Sequence, residues 1–256
     1  MIDIGVNINH RIFLDDLDKT LTEMRAANVN GMVCIASDLE ESKQLQLLCK
    51  NQPSMWNTLG CHPHQANTWK SQSSNHFAEL IRHIRPVAIG ETGLDFNRNY
   101  STPDEQFYAF DAQIELAHEY KLPLYLHERD AHQAMVSRLR TCPELAKKSV
   151  IHCFTGSRAE LDNYLALGLS IGITGWVCDE RRGQGLQASV PHIPLDKLLL
   201  ETDAPYLLPR NIRPRPKKNH PKYLPFVAQE VARLKGISIE ELTQRTTNNT
   251  KALFGI

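Results

Sequence analysis

Eight short apolar runs recur along this chain, and most are followed by a stretch with the spacing of an amphipathic helix. The runs predict strands over Ile2–Ile8, Gly31–Ala36, Asn57–Cys61, Pro86–Gly90, Pro123–His127, Ser149–Cys153, Leu169–Ile173 and Lys197–Glu201. Helical periodicity covers Asp16–Ala27, Leu39–Leu48, Asn75–Ile84, Pro103–Tyr120, Ala131–Leu139 and Arg158–Leu167, then Leu224–Lys235 and Ile239–Leu253. Pro103 falls in the first turn of its helix, where a missing N–H does no harm. Gly168 closes another as a C-cap. Strands that alternate with helices pair in parallel, because a parallel neighbour needs a crossover. Eight units in 256 residues suit a closed (β/α)8 TIM barrel, one domain over residues 1–256. The competing architecture is an open, doubly wound sheet. No G-x-G-x-x-G follows the first strand, which weakens a dinucleotide-binding version of it.

Charge narrows the function. Lys+Arg number 29 and Asp+Glu 29, so no broad basic face can coat nucleic acid, although a local basic patch is compatible with the total. At 41% hydrophobic and 23% charged the chain reads as a folded globule. No apolar run reaches the ~18 residues that a membrane span needs, and the N-terminus has no positive segment ahead of an apolar one, so no signal peptide is expected. Six cysteines lie far apart without a CxxC pair, as free thiols do in a reducing cytosol.

In a barrel of this kind the chemistry gathers where strands end. Those ends carry Asn7, His62 and His64, Glu91, His127, His152 and Asp203, spaced by whole βα units and not by one local loop. Imidazole and carboxylate ligands without thiolate suit Zn²⁺ or Mn²⁺, or Mg²⁺ where oxygen dominates. A cation at such a mouth polarises a phosphoryl or carbonyl oxygen and activates water, which points to hydrolysis. Asp203 would then be the general base or a further ligand. The other histidines, His10, His83, His118, His132, His192 and His220, have no such placement. Cys61 and Cys153, beside site histidines, read as packing residues.

Five motifs carry a resemblance: Gly60-Cys61-His62-Pro63-His64, Ala88 to Phe96 (AIGETGLDF), Pro123-Leu124-Tyr125-Leu126-His127, His152-Cys153-Phe154-Thr155-Gly156 and Leu200 to Tyr206 (LETDAPY). With them in this order, the chain resembles the TatD family of metal-dependent deoxyribonucleases, part of the wider metal-dependent hydrolase barrels. The resemblance implies a magnesium-dependent nuclease, with Mn²⁺ or Zn²⁺ as other cations, acting 3′→5′ on single-stranded DNA and also on RNA. It further implies Glu91, His127 and His152 as metal ligands, Asp203 as the catalytic or metal-binding aspartate, and His62 and His64 as phosphate contacts. We expect a cytoplasmic monomer without membrane association, serving DNA repair. One departure matters. Most of the family begins with Asp-x-His-x-His, and here Gly5 and Asn7 take the two histidine places. Glycine offers no ligand and asparagine a weak one, so one well-formed metal site is expected.

Beyond Asp203, the stretch Pro205 to Lys222 holds Arg210, Arg213, Arg215, Lys217, Lys218 and Lys222, five prolines and no acid. Stiffened cations at the barrel mouth can hold a backbone phosphate, as can Arg129, two residues past His127, and Arg181-Arg182. For each of these a solvated surface charge is the plain alternative. Trp69, Trp176 and Tyr206 are candidates to stack bases, with packing the alternative. Asp95 and Asn97 are expected to orient Glu91, unless turn chemistry around Gly93 accounts for them. Glu201 alternates with Thr202 and is expected between strands and helices. Two rivals remain: an amidohydrolase or lactonase on the same barrel, which the missing first-strand histidines disfavour, and a non-catalytic binding protein.

Overall fold

The computed structural model describes all 256 residues. Its strands are β1 (Ile2–Val6), β2 (Gly31–Cys34), β3 (Met55–Leu59), β4 (Ala88–Asp95), β5 (Leu124–Arg129), β6 (Val150–Ile151), β7 (Ser170–Ile173) and β8 (Leu198–Leu200). They pair in parallel in sequence order, β1 to β8. Past the end of β8, Val6 bridges Ala204, and Asn7 N–H donates to the Ala204 carbonyl at 2.9 Å. That seam closes the barrel and sets Asp203 beside β1, as its N–H donates to the Gly5 carbonyl at 2.9 Å. The expected eight-stranded barrel is the fold.

The outer layer comprises α1 (Arg11–Leu14), α2 (Leu17–Ala26), α3 (Leu39–Cys49), α4 (Ser73–His83), α5 (Pro103–Tyr120) and α6 (His132–Arg140). It continues with α7 (Pro143–Ala146), α8 (Arg158–Ala166), α9 (Gln184–Ser189), α10 (Leu224–Lys235) and α11 (Ile239–Phe254). The sequence signals at α5 explain its bounds. Thr102 and Glu105 form a reciprocal capping box, Pro103 starts the helix, and Lys121 in the left-handed region ends it. The short α1, α7 and α9 lack the length that periodicity needs, so the sequence does not announce them.

Apolar side chains divide by strand face. A cluster of 55 buried residues lies between strands and helices. A second holds Ile4, Val33, Ile35, Ala88, Tyr125, Val150, Leu199 and Phe254, drawn from six strands and α11, and fills the space the strands enclose. Side chains two residues on share a face, so His127, His152 and Glu201 follow Tyr125, Val150 and Leu199 into the barrel. This corrects the expected place of Glu201: it is fully buried on the inner face, not between strand and helices.

A second correction concerns β4, which runs to Asp95 and not to Gly90. Its pairing with β5 shifts register between Ile89 and Thr92, then continues to Asp95 opposite Arg129. The shift lets an apolar-to-polar stretch remain strand, and carries both Glu91 and Asp95 to the mouth.

Candidate functional site

Three imidazoles converge on one carboxylate oxygen. Oε1 of the buried Glu91 lies 2.8 Å from His152 Nε2, 2.9 Å from His127 Nδ1 and 3.3 Å from His62 Nε2. Ligand atoms of His62, Glu91 and His127 all fall within 4.8 Å of one another. Burial alone would raise the Glu91 carboxyl, but the charges of His152 and His62 and the His127 hydrogen bond outweigh it and hold the group well below its usual range. Burial opposes protonation of His152, yet Glu91 and Glu201 on either side raise it well above the ordinary imidazole. For His127 burial is likewise outweighed, by hydrogen bonds to Asp95 and Glu91, so it is raised too. Protons therefore stand between these imidazoles and Glu91, where a divalent cation would supply the same charge. The donor set fits a cation.

The far nitrogens separate the three histidines by role. His127 Nε2 lies 3.2 Å from Asp95 Oδ2, and His152 Nδ1 lies 3.4 Å from Glu201 Oε2. A carboxylate behind an imidazole fixes its far N–H and leaves the near nitrogen to a metal. His62 is wired the other way, since its Nδ1 accepts the His64 N–H at 3.0 Å. Burial lowers His62 to about 4, so the neutral ring carries its proton on Nε2 and is a donor. His64 Nε2 sits 2.7 Å from Asp95 Oδ2. Asp95 thus touches two histidines, while Asn97 donates to Asp130 at 2.6 Å. The expectation that both would orient Glu91 is corrected: Asp95 holds His64 and His127, and the Asn97 side chain turns away to Asp130.

Asp203 has a left-handed backbone, φ 54°, and accepts from Asn7 Nδ2 at 2.9 Å. Asn7, in a place where the resembled family carries histidine, holds this aspartate. Burial raises the Asp203 carboxyl to about 7, with His152 opposing, Glu91 and Glu201 adding to the rise, and the Asn7 hydrogen bond lowering it. Beneath it, buried Asp3 accepts from Thr202 Oγ1 at 2.6 Å and Thr202 N at 2.9 Å, which ties β1 to the strand-eight loop.

This barrel, with its mouth of imidazoles around one carboxylate, can be set beside known proteins. The model of TatD related DNases matches residues 2–255. The chain belongs to the TatD-related DNase family. Among its relatives, the 3′-5′ ssDNA/RNA exonuclease TatD of Erwinia amylovora is 49% identical over 259 residues, covering 100% of both chains. That of Erwinia tasmaniensis is 48% identical with the same coverage. A solved TatD homologue from Escherichia coli K12 superposes with a TM-score of 0.92 at 27% identity, covering 100% of this chain and 98% of that one.

Around this TatD-type centre the expected cations divide. Arg129 is exposed and lines a cavity of about 800 Å³ with Phe96, Phe154, Thr155 and Asn163. Arg210 is partly buried, its guanidinium 3.8 Å from Asp179, which also takes Arg182 at 3.1 Å. Lys222 pairs with Glu23 at 2.6 Å, and Arg213 donates to the carbonyls of Arg210 and Ile212. Arg215, Lys217 and Lys218 are exposed. Of the aromatics, Trp69 is buried and stacks on Phe77 at 5.1 Å, which removes it from the base-stacking candidates. Arg182 covers the Trp176 ring at 4.7 Å, and Tyr206 is 56% exposed.

Sequence reading passed over three residues that matter. Gln106 and Gln113, seven apart on α5, are fully buried amides. Gln113 pairs with the backbone N–H and carbonyl of Cys61 at 2.8 and 3.1 Å, and Gln106 does the same for Asp95 at 2.8 and 2.9 Å. Two glutamines on the buried face of a helix were the available signal. Tyr125, inward by its period, gives its hydroxyl to Glu201 at 2.7 Å.

Proposed function

We propose that this chain is a divalent-cation-dependent nuclease that removes nucleotides from the 3′ end of single-stranded DNA, and of RNA. The observation that carries the reading is the wiring of His127 and His152. Each is held from behind by a carboxylate, and each turns its other nitrogen to the same oxygen of Glu91. Glu91, His127 and His152 would hold the cation, Mg²⁺ or a more tightly held Mn²⁺. The names of the Erwinia relatives support the direction of cleavage and the choice of strand.

When bound, the cation would neutralise charge on a phosphate oxygen and acidify a water. The protein's own residues supply the rest. His62 offers its Nε2 proton to a non-bridging oxygen, and His64, held by Asp95, stands beside it with ring centroids 4.3 Å apart. Asp203 accepts the proton of the attacking water. Burial raises its carboxyl to about 7, and a cation held by Glu91, His127 and His152 would favour the ionised form, which takes a proton at neutral pH. Arg129 and Arg210 would contact neighbouring phosphates. The free state of all six cysteines supports a reducing, cytoplasmic setting, and no helix is long and apolar enough to cross a membrane.

Incubation with end-labelled single- and double-stranded oligonucleotides tests the reading. Mg²⁺ or Mn²⁺ should shorten 5′-labelled single strands stepwise, and chelator should stop it. Glu91→Ala should abolish cleavage, and Asp203→Asn should slow it by about 10²-fold or more. Cleavage that survives chelator, or equals the Glu91→Ala background, overturns the proposal.

A further inference from the structure

Glu201 touches no solvent, yet it is one of the best-connected carboxylates in the molecule. Its Oε1 accepts the backbone N–H of Cys153, and its Oε2 accepts the Tyr125 hydroxyl at 2.7 Å and faces His152 Nδ1 at 3.4 Å. Its three partners lie on or just past the two strands that carry His127 and His152. The chain also makes room for it. A Cβ at Gly172 would stand 2.6 Å from Oε1, and a Cβ at Gly5 would collide with Oε2 and with the Tyr125 hydroxyl. Gly5 is therefore more than the loss of a possible ligand. It admits a carboxylate and a phenol to the space that a first-strand side chain would enter.

We propose that Glu201 is the positioning residue of the cation site: it holds Nδ1 of His152 and thereby presents the Nε2 lone pair beside Glu91. This rests on Glu91, His127 and His152 being cation ligands. Three observations carry it. Glu201 is the carboxylate behind His152, as Asp95 is behind His127. Its other acceptor positions are taken by Cys153 and Tyr125, which fixes the direction it can offer the imidazole. The two glycines leave space for the carboxylate where any side chain would displace it.

Glu201→Gln tests the role with little change of shape. The amide oxygen must accept the Cys153 N–H, so the NH₂ faces Tyr125 and His152. His152 Nδ1 then becomes an acceptor, the ring proton moves to Nε2, and no lone pair is left for a cation. Calorimetric titration of the full chain with Mn²⁺ should show affinity about 10–100-fold weaker in Glu201→Gln, with a melting temperature close to that of the unaltered protein. Tyr125→Phe, which keeps the His152 contact, should bind Mn²⁺ within about threefold of it. A purely structural Glu201 would lower the melting temperature and leave affinity alone. Long-range ¹H–¹⁵N correlation in the unaltered protein loaded with Mg²⁺ reads the same point without any substitution: the His152 proton should lie on Nδ1. Glu201→Gln binding Mn²⁺ as tightly as the unaltered chain, or a His152 proton on Nε2, overturns the proposal and leaves the cation site standing. An unaltered chain that binds no Mn²⁺ overturns both.

Discussion

At the scale of single residues, a histidine matters here for the nitrogen that it leaves available. His62, His127 and His152 all lie within 3.3 Å of Glu91 Oε1, and proximity alone would group them. Their far nitrogens distinguish them, because a carboxylate behind the ring demands an N–H there and a backbone N–H behind it demands a lone pair. The same wiring makes cation binding a proton exchange. His127 and His152 are both raised above the ordinary imidazole, so if they are the ligands, protons on these rings compete with the cation. Binding should therefore release protons. Affinity should rise with pH, since raising the pH removes the competing protons. Mn²⁺ titrations in buffers of different ionisation heat measure the count directly. A count near zero with affinity flat between pH 6 and 8 would mean that the imidazoles do not ligate.

At the scale of elements, α5 does more than cover the barrel. Gln106 and Gln113 reach inward and pair with both backbone groups of Asp95 and of Cys61, as a strand neighbour would. One helix thus fixes the carboxylate behind His64 and His127 and the residue that precedes His62. Gln113→Ala would leave a buried N–H and a buried carbonyl at Cys61 unpaired, at a cost of about 2–4 kcal/mol. Urea unfolding should show that loss, together with slower cleavage as His62 shifts away from the phosphate it is proposed to contact. A change below about 1 kcal/mol would mean that water replaces the amide. The start of α5 was legible because Pro103 is a local signal. The work of its glutamines was not, since their partners are 11 and 52 residues away in the chain. Glu201 was misplaced for a related reason. Alternation fixes which neighbours share a face, but only the closed barrel says which face is inside, and Leu199 in the inner cluster decides it. The ends of β4 escaped the pattern because a register shift interrupts the period of two.

At the scale of the whole molecule, a formal charge of zero hides an uneven distribution. The barrel seam ends at Asp203, and the basic stretch that follows is tied back beside it, since Asn219 Nδ2 donates to the carbonyls of Thr202 and Tyr206 at 2.9 and 2.6 Å. Its cations are not equivalent, although the sequence presents them as a single run. Lys222 is spent on Glu23, Arg213 on backbone carbonyls, and Arg210 lies near Asp179. Arg215, Lys217 and Lys218 are exposed and make no ion pair, so they are free to neutralise phosphate. If a single strand crosses this lip, each contact displaces condensed counterions, about 0.7 per phosphate. Replacing the three by Gln should therefore flatten the plot of log affinity against log salt by about 2, for an uncleaved strand bound without cation. Cleavage at saturating substrate should stay close to that of the unaltered chain, because none of the three lies among the groups around Glu91. An unchanged salt slope would place the strand elsewhere, on the side of Arg129 and its cavity, and the same measurement on Arg129→Gln would then carry the loss.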